Sequence, residues 1–250
     1  MNIVDKTVKY EKQNSVCNHA AFFPKSIRCI IAGASGCGKT NLLVNLLENK
    51  VLDYADVYIY SSTLHQAAYV YLKKYYGRIE KVAQQKYKKL VTIAHFYASD
   101  EEIKDPKDLD ENKSHIMIFD DVMNNNQKVI KDYFCAGRHN NVNMFYLCQS
   151  LHQLPKHGIR QNANIFILFE QDQKTLKYFH ETNISIDMDF DEFKTFCEKA
   201  WRQKYGFVVI NLWENAYCRR YLANYTEIYT PSKYNKNTLK YIKIYKNTLK

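Results

Sequence analysis

GASGCGKT, at residues 33–40, is the stretch that decides the fold, because it fits the pattern G-x-x-x-x-G-K-[ST] in every fixed position. The apolar run Ile27–Ala32 precedes it and predicts a buried strand. Four leucines at helical spacing follow within residues 40–49 and predict a helix with one apolar face. Three of the chain's 7 glycines fall in this octet, so its backbone can turn N–H groups inward around phosphate oxygens. The octet therefore predicts a phosphate-binding loop between a strand and a helix.

Each residue type in this loop has a predicted role in nucleotide binding. The main-chain N–H groups and the amino end of the following helix attract phosphate oxygens. Lys39 is expected to reach the β- and γ-phosphates, and the Thr40 hydroxyl is expected to ligate Mg²⁺. The candidate nucleotide-binding residues are Gly33, Ala34, Ser35, Gly36, Cys37, Gly38, Lys39 and Thr40.

A second candidate element is an acidic pair that follows an apolar run. Ile116–Phe119 is continuously apolar and is followed directly by Asp120 and Asp121. In an open parallel α/β sheet, ligands bind at the carboxyl ends of the strands, so this pair is expected beside the phosphate-binding loop. We predict that Asp120 holds Mg²⁺ and that Asp121 orients or deprotonates the attacking water.

Strands alternate with helices over some 200 residues, which predicts an α/β fold with a largely parallel, helix-flanked sheet. Further strands are predicted at residues 57–60, 142–148, 164–169, 207–211 and 217–222. Helices are predicted at residues 64–76, 79–89, 129–136, 173–181 and 191–201. Residues 100–113 are acidic, contain Pro106, lack apolar periodicity and are predicted to be a surface loop. The predicted organisation is an entry segment at residues 1–24, a nucleotide-binding domain at 25–228 and a Lys-rich tail at 229–250.

Composition excludes several classes of protein. The 7 cysteines are odd in number and form no CxxC pair, which argues against a disulfide framework or a zinc ribbon and favours reduced thiols in an intracellular compartment. No run of about 18 apolar residues occurs, so no membrane span is expected. The formal net charge is +10, which favours contact with polyanions. The basic stretch at residues 72–89 and the Lys-rich tail, which repeats KNTLK at 236–240 and 246–250, are the candidate contact regions.

Four motifs occur in an order that resembles one protein family. The phosphate-binding loop is followed by Phe119-Asp120-Asp121-Val122, then by Gly137-Arg138-His139-Asn140-Asn141, and then by Leu147-Cys148-Gln149-Ser150. Over residues 22–215 the chain resembles the FtsK–HerA superfamily, specifically the genome-packaging ATPases of large double-stranded DNA viruses, virophages and Polinton-like elements. The second Asp suits this viral branch, since cellular members usually carry Glu there.

The resemblance implies a fold, an activity and partners. The implied fold is a RecA-like P-loop core with an additional strand between the P-loop strand and the metal-binding strand. The implied activity is hydrolysis of ATP with Mg²⁺, coupled to sequence-neutral translocation of double-stranded DNA into a preformed capsid. The implied assembly is a homo-oligomeric ring, with a capsid or portal vertex as a further partner. The host cytoplasm or a viral factory is the expected location, with virion association as an extension of it.

The resemblance also implies three further catalytic candidates. Gln149, after a strand, matches the polar sensor of the γ-phosphate; an amide can donate to a phosphate oxygen and accept from the attacking water. Arg138 and Arg160 are both candidates for an arginine finger donated to a neighbouring subunit, because a planar guanidinium matches phosphate geometry. The sequence does not choose between them.

Three other functions stay open at the level of sequence. A HerA-like helicase or conjugative DNA pump would use the same core. A small-molecule kinase also uses a P-loop, but would add an Arg-rich lid that is not evident here. A nucleotide-dependent assembly module without turnover is the remaining alternative, since Asp121 is one methylene shorter than the Glu of many P-loop motors.

Overall fold

The computed structural model describes residues 19–98, 103–123 and 127–234. These ranges contain five α-helices: α1 (Lys39–Glu48), α2 (Ala67–Tyr87), α3 (Gln127–Ala136), α4 (Gln173–Asn183) and α5 (Phe190–Trp201). The strands in these ranges are β1 (Arg28–Ala32), β2 (Asp56–Ser61), β3 (Ala94–Ala98), β4 (His115–Asp120), β5 (Val142–Cys148), β6 (Ile165–Leu168), β7 (Val208–Asn211), β8 (Tyr221–Ala223) and β9 (Glu227–Tyr229).

The nine strands form one sheet in the order β3-β2-β4-β5-β1-β6-β7-β8-β9. Its first six strands are parallel, and β7, β8 and β9 extend it in antiparallel pairing. The strand β5 lies between β1 and β4, as the resemblance implied. The prediction of a mostly parallel, helix-flanked α/β sheet is confirmed.

Helices cover both faces of the sheet, which explains why the central strands are apolar at consecutive positions. One face packs against α1 and α2 through Leu43, Leu47 and Tyr69. The other face packs against α3, α4 and α5, with Tyr133 and Phe193 among the fully buried side chains. The sheet is therefore a rigid central layer that fixes the loops at the carboxyl ends of its parallel strands.

Two element predictions need correction. The helices predicted at 64–76 and 79–89 form one continuous helix, α2, because Gly77 is tolerated within it. The strand predicted at 217–222 is limited to β8, since residues before it form a turn in which the Cys218 N–H donates to the Asn215 carbonyl at 2.9 Å. The strands β3 and β9 were not predicted.

Several sequence predictions lie wholly or partly outside the described residues. The KNTLK repeat falls there entirely, and the predicted loop at 100–113 is described from residue 103 onward, where Pro106–Asp108 form one 3-10 turn. The boundaries of the entry segment, domain and tail stay predictions. None of the helices in the described ranges has the length and apolar character needed to cross a bilayer.

Candidate active site

The loop at residues 33–38 connects the carboxyl end of β1 to the amino end of α1. Gly38 occupies the N-cap position of α1 with φ 110°, a left-handed conformation that only glycine adopts without strain. No side chain caps this helix end, and no acidic residue lies in its first turn. The first N–H groups of α1 therefore stay available to an anion, which the helix dipole also favours.

The Lys39 ammonium group lies over this loop. Its Nζ donates hydrogen bonds to the carbonyl oxygens of Gly33, at 2.6 Å, and Ala34, at 2.9 Å. Both acceptors are neutral, so a phosphate oxygen can replace them as a stronger, charge-assisted partner. The structure thus places the Lys39 charge at the loop where phosphates are predicted to bind.

Thr40 and Asp120 come together from elements eighty residues apart. The Thr40 hydroxyl donates to Asp120 Oδ2 at 3.3 Å. Thr40 lies in the first turn of α1, and Asp120 ends β4, which reaches the same edge of the sheet as β1. The predicted metal ligands are therefore neighbours in the folded chain.

Asp120 is a buried carboxylate, with only 6% of the residue exposed. The hydroxyl of Tyr69, from the first turn of α2, donates to the same Oδ2 at 2.6 Å. Burial raises the pKa of the Asp120 carboxyl above its ordinary value, and the Tyr69 hydrogen bond and the nearby Lys39 charge oppose that rise. Tyr69 and Thr40 together fix the orientation of this carboxylate.

Asp121 is held differently from Asp120. Its side chain is exposed, and its backbone has φ 56°, a left-handed conformation in which Asp is enriched. Ser62, directly after β2, donates its hydroxyl hydrogen to Asp121 Oδ2 at 2.7 Å. Strand β4 therefore ends in one buried and one solvent-facing carboxylate, which suits two different roles.

A cavity of about 340 Å³ lies over these groups. Its wall includes five of the predicted nucleotide-binding residues, Ser35, Gly36, Gly38, Lys39 and Thr40, with Asp120 opposite. Asp121 and Gln149 also line it, the latter directly after β5. Gly33, Ala34 and Cys37 belong to the loop but do not line the cavity.

The donor set around Asp120 fits Mg²⁺. A carboxylate and a hydroxyl are hard oxygen ligands, and Mg²⁺ is commonly bound by one or two such protein groups together with substrate phosphates. No three His, Cys, Asp or Glu side chains converge as a metal site within the described ranges. Residues Thr40 and Asp120 would hold the ion, and the remaining positions would fall to water and phosphate.

The two candidate arginine fingers are not brought to this cavity. Arg138 lies in the 3-10 segment Gly137–Asn140, at the amino end of β5 and so at the opposite edge of the sheet from the P-loop. The seven residues of β5 separate these edges by roughly 20 Å. Arg160 packs within its own subunit: its NH1 donates to the Tyr178 hydroxyl at 3.0 Å, and its guanidinium lies 5.3 Å from the Tyr178 ring centre.

Sequence reasoning missed several residues that line or support the cavity. The hydroxyl groups of Tyr69 and Ser62 donate hydrogen bonds to the carboxylates of Asp120 and Asp121, respectively. Thr63, Gln66 and Tyr205 lie in the cavity wall. Ser62 and Thr63 are polar residues directly after β2. Polar residues at the carboxyl end of a parallel strand are typical of a ligand-binding site, so this pattern could have predicted both residues. No local pattern marks Tyr69, because its contact lies 51 residues away.

Comparisons with known proteins add a family and a fold. Residues 14–197 match the model of the family described as poxvirus A32 protein. The genome packaging NTPase B204 from Sulfolobus turreted icosahedral virus 2, in complex with ATPγS, is similar with a TM-score of 0.50 and 12% identity, over 76% of this chain and 94% of that one. Its AMP complex gives a TM-score of 0.49 at 12% identity, with the same coverage.

A more distant structure is the N-terminal domain of zonular occludens toxin from Neisseria meningitidis, with a TM-score of 0.34 and 18% identity over 59% of this chain and 78% of that one. No curated protein sequence matches the chain. At these identities the likeness to B204 shows a shared fold.

Proposed function

The chain belongs to the poxvirus A32 protein family and is thus a viral DNA-packaging ATPase of the FtsK–HerA type. On that premise, we propose how its residues hydrolyse ATP and move double-stranded DNA into a preformed capsid. The contact between Thr40 and Asp120 carries the proposal, since it joins the P-loop to an acidic strand end in one cavity. The B204 structure with ATPγS supports ATP as the nucleotide.

Binding begins with the P-loop in this proposal. Lys39 exchanges its two carbonyl partners for oxygens of the β- and γ-phosphates, while the N–H groups at the start of α1 donate to the same phosphates. Thr40 and Asp120 would hold Mg²⁺, which would offset the negative charge that develops on the phosphate oxygens. The buried position of Asp120 strengthens its attraction to a cation.

Asp121 acts on the attacking water. Its exposed carboxylate lines the cavity, and the Ser62 hydrogen bond occupies one lone pair of Oδ2 while leaving acceptor capacity on both oxygens. The carboxylate accepts a hydrogen bond from the water and orients it toward the γ-phosphate. Gln149, on the neighbouring strand end, donates to a γ-phosphate oxygen and accepts from the same water.

The finger role falls to Arg138 in this proposal. The Arg160 guanidinium bonds and stacks on Tyr178 of its own chain, which gives it a structural role within the subunit. The backbone of Arg138 lies at the side of the sheet remote from its own P-loop, so in this proposal Arg138 serves the site of a neighbouring subunit. A closed homo-oligomeric ring provides such a neighbour at every site.

DNA contact is proposed for the second half of α2. The exposed cations Arg78, Lys81, Lys86, Lys88 and Lys89 lie in or just after this half, and none of its residues is buried. Lysine and arginine contacts to phosphates carry no sequence information, as a packaging motor requires. The proposed partner outside this chain is the capsid or its portal vertex. Binding there would associate the protein with the virion.

Steady-state hydrolysis of ATP, with and without double-stranded DNA, tests the function. The proposal expects Mg²⁺-dependent turnover that rises when double-stranded DNA is added. Lys39→Ala is expected to reduce turnover by at least about 100-fold, since it removes the charge that binds the transferred phosphate. Normal hydrolysis by Lys39→Ala, or phosphate transfer to nucleosides in place of hydrolysis, would exclude this function.

A further inference from the structure

The two ends of the cavity differ because they come from opposite sides of β1. Asp120, Asp121 and Gln149 follow β4 and β5, which lie on one side of β1 in the sheet. In the proposed function Asp121 and Gln149 act on the terminal phosphate and the water that attacks it, and Asp120 is a ligand of the Mg²⁺ that would accompany this phosphate. The nucleoside must then extend toward the other side of β1, where β6 and β7 lie.

An aromatic side chain occupies that second end. Tyr205 precedes β7 and lines the cavity together with the P-loop. Its Cδ1 atom lies 3.4 Å from the point at which a Cβ on Gly38 would stand, so its ring borders the amino end of α1. The residue is nevertheless 57% exposed, so much of its side chain is open to solvent beside the cavity.

The backbone of Tyr205 adopts a strained conformation. Its φ is 62°, which a bulky residue rarely adopts. The turn after α5 is closed by a hydrogen bond from the Gly206 N–H to the Gln203 carbonyl at 2.9 Å. A Cβ on Gly206 would lie 2.0 Å from the Ala200 carbonyl oxygen, so the turn tolerates only glycine there. Strain of this kind concentrates at ligand-binding sites, where it presents a side chain in a fixed position.

Lys204 adds positive charge beside the same ring. Its Nζ lies 5.1 Å from the centre of the Tyr205 ring, within the range of a cation–π contact. An exposed aromatic ring next to a lysine matches the chemistry of a nucleotide, which combines a flat base with negative phosphates. Aromatic rings bind bases of every kind, because each base has a π face.

We propose that the Tyr205 ring stacks on the base of the bound nucleotide and so acts as the nucleoside subsite of the cavity. This inference rests on the proposed function, because the direction of the nucleotide follows from the roles of Asp120, Asp121 and Gln149. Phosphate binding itself stays with the P-loop. A change at Tyr205 should therefore alter the affinity for the nucleoside without altering the affinity for the triphosphate.

The test compares ATPγS with inorganic tripolyphosphate, each with Mg²⁺, by calorimetric titration. Tyr205→Asn removes the ring and suits the left-handed backbone, and Tyr205→Phe keeps the ring. Tyr217→Asn is the matched control, because Tyr217 is 47% exposed and lies outside the cavity lining. Loss of base stacking is expected to weaken ATPγS binding by Tyr205→Asn by about 5- to 100-fold. Tripolyphosphate affinity is expected to stay unchanged, as are both affinities of Tyr205→Phe and Tyr217→Asn.

Two results would overturn the inference while leaving the proposed function in place. One is unchanged ATPγS affinity in Tyr205→Asn. The other is an equal loss of affinity for ATPγS and tripolyphosphate, which would show that the turn supports the P-loop. Failure of the parent protein to bind either compound would instead overturn the proposed function, and the inference with it.

Discussion

At the scale of single residues, Asp120 combines burial, charge and two hydroxyl donors. A buried carboxylate destabilises the native state when no cation neutralises it, since its pKa is raised by desolvation. In the proposed function this loss of stability is the consequence of placing a metal ligand at a buried position. Asp121, its exposed neighbour in sequence, carries no such burial cost.

Replacing each of these two carboxylates separates stability from turnover. Asp120→Asn keeps an oxygen acceptor for Tyr69 and removes the buried charge, so the free energy of unfolding without nucleotide is expected to rise by about 1 kcal/mol. Asp121→Asn is expected to change it by less than about 0.5 kcal/mol. Both variants should lose ATP hydrolysis. Urea denaturation measures the first effect, and destabilisation of the Asp120→Asn protein would contradict it.

Tyr69 gives a second expectation at this scale. Tyr69→Phe removes only the hydroxyl that donates to Asp120 and leaves a buried, charged acceptor without this partner. The free energy of unfolding is expected to fall by about 1.5–3 kcal/mol, the usual cost at a charged group.

Tyr76→Phe is the matched control for Tyr69→Phe. Tyr76 is buried seven residues further along the same helix, but its hydroxyl pairs with the neutral hydroxyl of Tyr54. The expected loss is about 1 kcal/mol, the value for a neutral hydrogen bond. Equal losses in the two variants, measured by urea denaturation, would show that Tyr69 has no special relation to the carboxylate.

Residues of the site differ in how far the sequence reveals them. Lys39 and Thr40 belong to a contiguous motif, and the spacing of that motif predicts their positions in the folded loop. Asp120 directly follows an apolar run, which predicts that it lies at the carboxyl end of a strand. Tyr69 and Tyr205 reach the cavity only through the packing of α2 and the turn after α5. No periodicity encodes such contacts, because they depend on how separate elements meet in three dimensions.

At the scale of elements, α2 has the smallest fraction of buried residues among the α-helices of the described ranges. Its buried residues, Tyr69, Leu72 and Tyr76, all lie in its first half. The remaining eleven residues, Gly77–Tyr87, extend over roughly 16 Å without a buried side chain. Glu80 is the anchor of this part, as its Oε1 accepts from the backbone N–H groups of Ile93 and Ala94. The second half is therefore built as an exposed basic surface.

Neutralising this surface is expected to weaken DNA binding. The triple change of Lys81, Lys86 and Lys89 to Ala should lower affinity for double-stranded DNA and reduce the slope of log affinity against log salt by about 2–3. Turnover without DNA should stay the same. The control changes three exposed lysines elsewhere on α4 and α5, namely Lys174, Lys177 and Lys199. Equal salt slopes for the two triple variants would refute the role of α2.

The elements that sequence patterns missed are at the antiparallel end or the edge of the sheet. Strand β3 has five half-buried residues and no apolar run, so its pairing with β2 decides its structure. Strand β9 is three residues long and is fixed by pairing with β8. Central strands such as β4 and β5 were predictable because burial on both faces demands continuous apolar sequence.

At the scale of the whole molecule, an active site completed by Arg138 requires a second subunit. A mixture of Lys39→Ala and Arg138→Ala subunits tests this. The first retains the finger and the second retains the P-loop, so random mixing restores about one quarter of the intact interfaces. DNA-stimulated hydrolysis by the mixture is expected to approach that fraction, although each variant alone is inactive.

The control for this mixture uses Arg160→Ala. Its guanidinium contacts Tyr178 within the subunit, so Arg160→Ala alone is expected to hydrolyse ATP and to unfold at a lower temperature. An inactive mixture of assembled Lys39→Ala and Arg138→Ala subunits would exclude Arg138 as a finger acting between subunits.

The central claim is that the P-loop and the end of β4 form a single site for nucleotide and divalent cation. Calorimetric titration of the parent protein with ATPγS, with and without Mg²⁺, tests this claim most directly. We expect saturable binding at one site per chain that tightens when Mg²⁺ is present, and loss of that tightening in Asp120→Asn. Absence of binding, or an equal response to Mg²⁺ in Asp120→Asn and the parent, would contradict the claim.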